Sequence, residues 1–352
     1  MENFSVLIKP ASSACNMNCK YCFYHDEAIN RKDYFNGFMT EETLDVLLDR
    51  VFEVDAKNYN ISFQGGEPTL RGVDFFESLV KKVNKKNINN NKVNYAIQTN
   101  GILIDERWCE LFSKNNFLVG VSLDGNKEIH DYLRVKSNDG TFNKVLKAID
   151  LFTKYKIDYN VLTVVSKSLA KRYNSVYNFY KKRGFKYLQF IPCLDSIKGD
   201  KKEYTLTDED YGNFLCGLFD LYLEDGKKGE YVSIRLFDNF MAKLQGCRAE
   251  LCGLDGRCNV NFVIEGDGSV YPCDFYCLDE YLLGNIKENS FKEMFESNVS
   301  YDFIKPSFNE ECMLCEYYAL CGGGCKRERI NAKNRFCNAY KKLFEKIKKE
   351  FL

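Results

Sequence analysis

Six short runs rich in β-branched and aromatic residues alternate with helix-like stretches over the first 195 or so residues of this chain. The runs are FSVLIK from Phe4, NISFQ from Asn60, NYAIQ from Asn94, LVGVSL from Leu118, YNVLTVV from Tyr159 and YLQFI from Tyr187. Strands separated by helices run parallel, so the alternation predicts an α/β fold built on a parallel sheet, a curved partial (β/α)6 barrel over residues 1–200. The stretch TEETLDVLLDRVF is one such helix, with Thr40 as N-cap and Glu41 and Glu42 in its first turn. Chemistry in parallel barrels collects at the C-terminal ends of the strands. The strings that break the pattern fall there: a cysteine triad after the first strand, GGEP (65–68) after the second, QTNG (98–101) after the third and SLDG (122–125) after the fourth.

The triad is Cys15, Cys19 and Cys22 in CNMNCKYCFY, a C-x3-C-x2-C spacing followed by Phe23. Iron–sulfur clusters ordinarily take four cysteines. Three thiolates on a four-iron cluster leave one iron open for a substrate or cofactor. The alternative is zinc, because His25 could complete a tetrahedron with the three thiolates.

A second group lies towards the C-terminus. It comprises Cys252, Cys258, Cys273, Cys312, Cys315, Cys321, Cys325 and Cys337, enough for two sites of four thiolates. NFVIEGDGSVYP, between Cys258 and Cys273, predicts two short strands around a Gly-Asp-Gly turn that present Cys273. Zinc ribbons are again the alternative. A chain that already carries one redox cluster favours further clusters. The expected organisation is a barrel over 1–200, a helical connection over 201–246 and a cysteine-rich domain over 247–352.

Composition excludes several classes. The 50 basic and 50 acidic side chains cancel, which argues against nucleic acid or an anionic membrane as main partner. No apolar run approaches the roughly 20 residues of a membrane span. MENFSVLIKP has an acidic start and a short apolar stretch, unlike a signal peptide. A chain of 352 residues builds a core without disulfide staples, so its 16 cysteines point to metal in a reducing, cytoplasmic setting. The Lys-rich closing segment from Asn338 predicts a docked amphipathic helix.

The triad and its aromatic, with GGEP, resemble the radical S-adenosylmethionine (radical SAM) signature, and the C-terminal cysteines resemble a SPASM domain. Together with LIKPASS, CFYH, FQGGEPTL, LQFI, VSIR, DGSVYPCDFY and LGNI, the two halves resemble anaerobic sulfatase-maturating enzymes over nearly the whole chain. The resemblance implies three 4Fe–4S clusters and S-adenosylmethionine as cofactors. The first cluster takes Cys15, Cys19 and Cys22. One auxiliary cluster takes Cys252, Cys258, Cys273 and Cys325, and the other Cys312, Cys315, Cys321 and Cys337. Spacing alone would have grouped Cys312 to Cys325 as one compact site. The GGEP backbone and carboxylate region would receive the methionine amine, and Tyr21, Gly66, Ser122, Arg134 and Leu194 would contact the cofactor. Cys109, Cys193, Cys216, Cys247 and Cys277 remain, by default as buried small hydrophobes.

The same resemblance implies that a 5′-deoxyadenosyl radical removes a β-hydrogen from a Cys or Ser of an unfolded or nascent sulfatase polypeptide. Asp274 takes the thiol or hydroxyl proton, an auxiliary cluster takes the electron, and the product is Cα-formylglycine. A reducing donor such as ferredoxin or flavodoxin is the second expected partner. Asp ordinarily titrates near ~3.9, too low for a base at neutral pH. Burial and an anionic cluster beside it would raise that value into the useful range. Two rivals use the same motifs: another SPASM enzyme that crosslinks or epimerises a ribosomal peptide, and a non-catalytic iron–sulfur electron carrier. The first would be marked by a winged leader-binding extension, which is not expected here. The second is opposed by GGEP, QTNG and SLDG on one rim.

Overall fold

The computed structural model describes residues 1–136, 139–307 and 309–351. Its first half contains β1 (Asn3–Ile8), α1 (Phe23–Ile29), α2 (Glu41–Glu53), β2 (Asn58–Phe63), α3 (Val73–Lys86), β3 (Lys92–Thr99), α4 (Glu106–Lys114), β4 (Leu118–Ser122) and α5 (Phe142–Lys154). There follow β5 (Tyr159–Val165), α6 (Tyr173–Lys182), β6 (Tyr187–Pro192), α7 (Asp208–Lys227), β7 (Ser233–Ile234) and α8 (Arg235–Leu244). The last part holds β8 (Val263–Ile264), β9 (Ser269–Tyr271), β10 (Gly284–Asn285) and α9 (Cys337–Phe351). All six strands expected from the sequence are present as β1 to β6. Thr40 caps α2 as expected, its hydroxyl accepting from the Thr43 amide at 3.0 Å.

The chain forms two compact units that do not follow chain order. One comprises residues 1–122, 134–159 and 259–304, the other 123–133, 160–258 and 305–351. In the first unit the strand order is β10-β9-β8-β1-β2-β3-β4. Strands β1 to β4 pair in parallel, in sequence order. The GDG hairpin is β8 and β9, antiparallel as expected, and β8 adds to β1 in parallel with Leu7 opposite Val263 and Ile8 opposite Ile264. The late hairpin thereby places Cys273 and Asp274 in the same unit as the first cysteine triad.

The strands of this unit are two-faced. Phe4, Val6 and Ile8, then Tyr59, Ile61 and Phe63, then Tyr95 and Ile97 are buried, and Phe63 meets Phe76 of α3 with ring centroids 4.9 Å apart. Each such side chain contributes about 1.5–3 kcal/mol on burial. The alternate positions are polar: the Asn60 amide donates to the Ser5 hydroxyl at 3.1 Å and the Asn94 amide to Asn60 at 2.9 Å. A parallel sheet covered by helices on both faces reads as unbroken apolar runs. This alternation leaves one face for polar chemistry.

In the second unit β5, β6 and β7 pair in parallel. The closing helix α9 docks as its pattern predicts, burying Ala339, Tyr340, Leu343, Phe344 and Ile347. The Asp208 carboxylate at the start of α7 accepts from the Ala339 amide at 2.9 Å, and the Tyr211 and Phe336 rings lie 4.6 Å apart. Among the described residues no helix is long and apolar enough to cross a membrane.

Candidate active site and cluster-binding cysteines

The loop leaving β1 carries Cys15, Cys19 and Cys22, none of them in a disulfide. Asn100 of QTNG steadies it, its amide donating to Asn16 at 2.7 Å while lying 3.8 Å from the Cys15 sulfur. Burial pushes the Cys15 thiol up to about 12 and raises that of Cys22. A thiolate in such surroundings needs a cation, and a bound metal supplies one. His25 points elsewhere: it is exposed, and its Nδ1 lies 3.1 Å from the Tyr34 hydroxyl. With His25 turned to Tyr34, the donors this loop offers are its three sulfurs, which suits an iron–sulfur group better than the zinc alternative.

GGEP packs against this loop. Gly66 has φ +50°, and a Cβ there would lie 2.1 Å from the Ala14 carbonyl oxygen, so no other residue fits without moving the cysteine loop. The buried Glu67 carboxylate accepts at Oε1 from the Thr69 backbone amide (3.1 Å), the Thr69 hydroxyl (2.6 Å) and the Thr99 hydroxyl (2.7 Å), and at Oε2 from the Asn100 backbone amide (2.7 Å). It ties GGEP to QTNG and leaves Oε2 with a single donor. Ser122 and Arg134 are buried in the same unit. The Arg134 guanidinium stands 5.5 Å from the Tyr21 ring. Leu194 follows β6 in the second unit and is partly buried.

Asp274 follows Cys273 after β9. One carboxylate oxygen, Oδ2, accepts from the Tyr24 hydroxyl at 2.6 Å and from the Gln64 amide at 3.1 Å. The other, Oδ1, is sealed from solvent and has no hydrogen-bond partner, although the residue as a whole is half-buried. Burial raises its pKa to about 6, against the opposing pull of Lys9 and the Tyr24 hydrogen bond. The direction is that expected from the sequence, with burial first and the Glu265 charge adding to it.

Around this carboxylate lies a group that the sequence did not reveal. Glu265, after β8, pairs with Lys9 at 2.7 Å and with both terminal nitrogens of Arg31 at 2.8 and 3.1 Å. Burial disfavours the Glu265 charge, but Lys9 and Arg31 override it and hold its pKa below the ordinary carboxylate value. Gln64 was legible in principle. It continues the polar series Asn58, Asn60, Ser62 along β2, and that period-2 face carries it to Asp274. The pairing of Lys9 with Glu265 spans 256 residues of sequence and left no local signal.

In the second unit Cys252, Cys258 and Cys325 lie within one another's electrostatic reach, and burial pushes Cys325 up to about 12. Cys312, Cys315, Cys321 and Cys337 line one pocket of about 40 Å³ with Tyr340 and Phe344. Spacing alone had grouped Cys325 with Cys312, Cys315 and Cys321. The chain instead turns at 322–324 so that Cys325 faces Cys252, with a Cβ on Gly253 reaching 3.5 Å from the Cys325 Cβ. Of the five other cysteines, Cys109, Cys193 and Cys277 are buried, Cys216 is half-buried and Cys247 is exposed. Buried small hydrophobe therefore describes three of them and not Cys247.

Residues 10–168 match the radical SAM superfamily and 256–316 the SPASM iron-sulfur cluster-binding domain. A cysteine-type anaerobic sulfatase-maturating enzyme of Clostridium novyi is 46% identical over 98% of this chain and 96% of its own. The chain belongs to the anaerobic sulfatase-maturating enzymes. A serine-type anaerobic sulfatase-maturating enzyme of Bacteroides thetaiotaomicron is 30% identical over 97% of this chain and 89% of its own. The solved structure of native anSMEcpe with bound AdoMet and Cp18Cys peptide superposes with a TM-score of 0.94, at 44% identity, over 99% of this chain and 97% of that one. As an anaerobic sulfatase-maturating enzyme this protein is a radical SAM oxidoreductase that binds iron–sulfur clusters and S-adenosylmethionine. Its activity is the oxidation of a Cys or Ser in a sulfatase polypeptide to formylglycine.

Proposed function

We propose that the residue oxidised is a cysteine and that Asp274 is the base that takes its thiol proton. The observation that carries this reading is the Asp274 carboxylate, with Oδ2 held by Tyr24 and Gln64 and Oδ1 buried and unpartnered. A base needs a free acceptor and a value near the working pH, and about 6 meets that requirement. The cysteine preference is supported by identity of 46% to a cysteine-type relative against 30% to a serine-type one.

Cys15, Cys19 and Cys22 hold the first of three 4Fe–4S clusters; Cys252, Cys258, Cys273 and Cys325 hold the second, and Cys312, Cys315, Cys321 and Cys337 the third. Tyr21, Gly66, Ser122, Arg134 and Leu194 bind S-adenosylmethionine. When bound, these groups supply a hydrogen-abstracting radical and an electron acceptor. The chain's own part is to place the substrate cysteine and to receive its proton at Oδ1. Loss of one Cβ hydrogen atom, the thiol proton and one electron leaves a thioaldehyde, and water then adds to its carbon and expels the sulfur as hydrogen sulfide. By function, residues 1–200 supply the radical SAM part, 201–246 the connection and 247–352 the cluster cysteines, a division that differs from the two compact units into which the chain packs. The partners are an unfolded or nascent sulfatase polypeptide and a reducing donor such as ferredoxin or flavodoxin, met in the cytoplasm.

Reconstituted enzyme, reductant and S-adenosylmethionine are incubated with two sulfatase-derived peptides that differ only in Cys or Ser at the target position. Mass spectrometry should find formylglycine in the Cys peptide at the higher rate. Equal or faster conversion of the Ser peptide overturns the cysteine preference, and a crosslinked or epimerised product overturns the reading of the reaction.

A further inference from the structure

Lys9 directly follows β1, in an unusual position for a lysine. Its amide donates to the Ile264 carbonyl at 2.7 Å, and its side chain is only 2% exposed. The aliphatic stem fills the space beneath Gly65, where a Cβ would lie 2.3 Å from Lys9 Cε. The ammonium pairs with Glu265 at 2.7 Å and stands 4.9 Å from the centre of the Tyr24 ring. Tyr24 in turn donates its hydroxyl to Asp274 at 2.6 Å. Lys9 therefore touches the GGEP loop with its stem and the partner of the proposed base with its head.

We propose that Lys9 is a positioning residue for the oxidation, acting through Tyr24 on Asp274. The inference rests on the reading of Asp274 as the base. A desolvated cation against an aromatic face is a strong restraint on the ring. Lys9 and Arg31 share the Glu265 carboxylate, and the Lys9 ammonium also acts on Glu27 and Asp274, so its place against the ring is fixed by the pair with Glu265 and not by surplus charge. With the ring held, the Tyr24 hydroxyl stays on Oδ2 together with the Gln64 amide, and Oδ1 is the oxygen left to accept a proton. Without the ammonium the ring loses this restraint, and the carboxylate loses its alignment. A misplacement of about 1 Å near reacting groups costs on the order of 10²-fold.

Lys9→Met keeps the unbranched stem under Gly65 and removes the charge. Glu265 does not become an orphan, because Arg31 still meets both its oxygens. In anaerobically reconstituted enzyme three quantities are measured together: iron content, 5′-deoxyadenosine formed and formylglycine formed. The expected result is unchanged iron, retained cofactor cleavage and formylglycine per cofactor cleaved reduced about ten- to a hundred-fold. Tyr24→Phe, which keeps the ring and removes the hydroxyl, should show the same uncoupling. The double variant should be no worse than Tyr24→Phe alone, since both changes break one chain of contacts. Fully additive losses, or a Lys9→Met enzyme as well coupled as wild type, overturn the proposal. If Lys9→Met loses its iron, Lys9→Gln, whose amide can still donate to Glu265, takes its place. If that variant also loses its iron, Lys9 is a structural ion-pair residue and the proposal is wrong. Asp274→Asn in the same assay separates the two readings: wild-type coupling there removes the base, whereas uncoupling there with normal coupling in the Lys9 variants removes only the role of Lys9.

Discussion

Replacing Asp274 with Asn tests the centre of the mechanism, and the structure sets what should follow. The amide oxygen can take the place of Oδ2 and accept from Tyr24 and Gln64, now at 2.6 and 3.1 Å. The amide nitrogen then falls where Oδ1 has no partner, so one unsatisfied atom replaces another. The fold should therefore persist. Stability has a definite sign as well. The folded-state pKa of Asp274 is raised to about 6, so its contribution is present below the unfolded value near 3.8 and is lost as pH rises through about 6. At pH 7 the Asn variant should be no less stable than wild type. Activity runs the other way, because the base must be ionised. A value of about 6 leaves about nine-tenths of the carboxylate ionised at pH 7 and about one-tenth at pH 5. Wild-type formylglycine formation under saturating cofactor should fall about ninefold to tenfold across that interval. The variant should form formylglycine some 10²–10⁴-fold more slowly at pH 7, with a flat profile over the same range. Peptide mass spectrometry, 5′-deoxyadenosine quantification and iron analysis on the same samples read these outcomes. Product formation equal to wild type, with iron intact, would refute the assignment of Asp274 as base.

Anaerobically reconstituted enzyme should hold about twelve irons, and joint replacement of Cys15, Cys19 and Cys22 should remove about one third of them and abolish S-adenosylmethionine cleavage; surviving cleavage would sink the cluster assignment. Glu265→Ala removes the carboxylate that Lys9 and Arg31 share, each with a side chain only 2% exposed. It should cost about 3–5 kcal/mol in anaerobic denaturant titration of the holoenzyme, and a loss below about 1 kcal/mol would show that the buried charges find other partners. Glu67→Gln presents an NH2 group to at least one of four converging donors and should cost about 1–3 kcal/mol. Calorimetry should show S-adenosylmethionine binding weakened in step, and unchanged binding would mean that the Glu67 clip does not shape the cofactor loop.

The sequence by itself determined the repeating unit and the place of the chemistry. Each strand from β1 to β6 is announced by its own residues, because β-branched and aromatic side chains favour a pleated, half-buried surface locally. The position of GGEP, QTNG and the cysteine triad after strands follows from the same local pattern. Even Gln64 was written in the alternation of NYNISFQ, since a period of two assigns a face without any partner. What the sequence did not contain is which distant pieces meet. The polar character of Glu67 is plain from its letter, yet only the juxtaposition of GGEP with QTNG makes it a clip between the two loops. Likewise Cys325 stands four residues after Cys321, and only the turn at 322–324 sends the two sulfurs to different groups. The buried set of Lys9, Arg31, Glu265, Tyr24 and Asp274 exists because β8 adds to β1 across more than 250 residues. No local propensity encodes such a pairing, and its energy appears only once tertiary packing has removed the water that would otherwise solvate each charge.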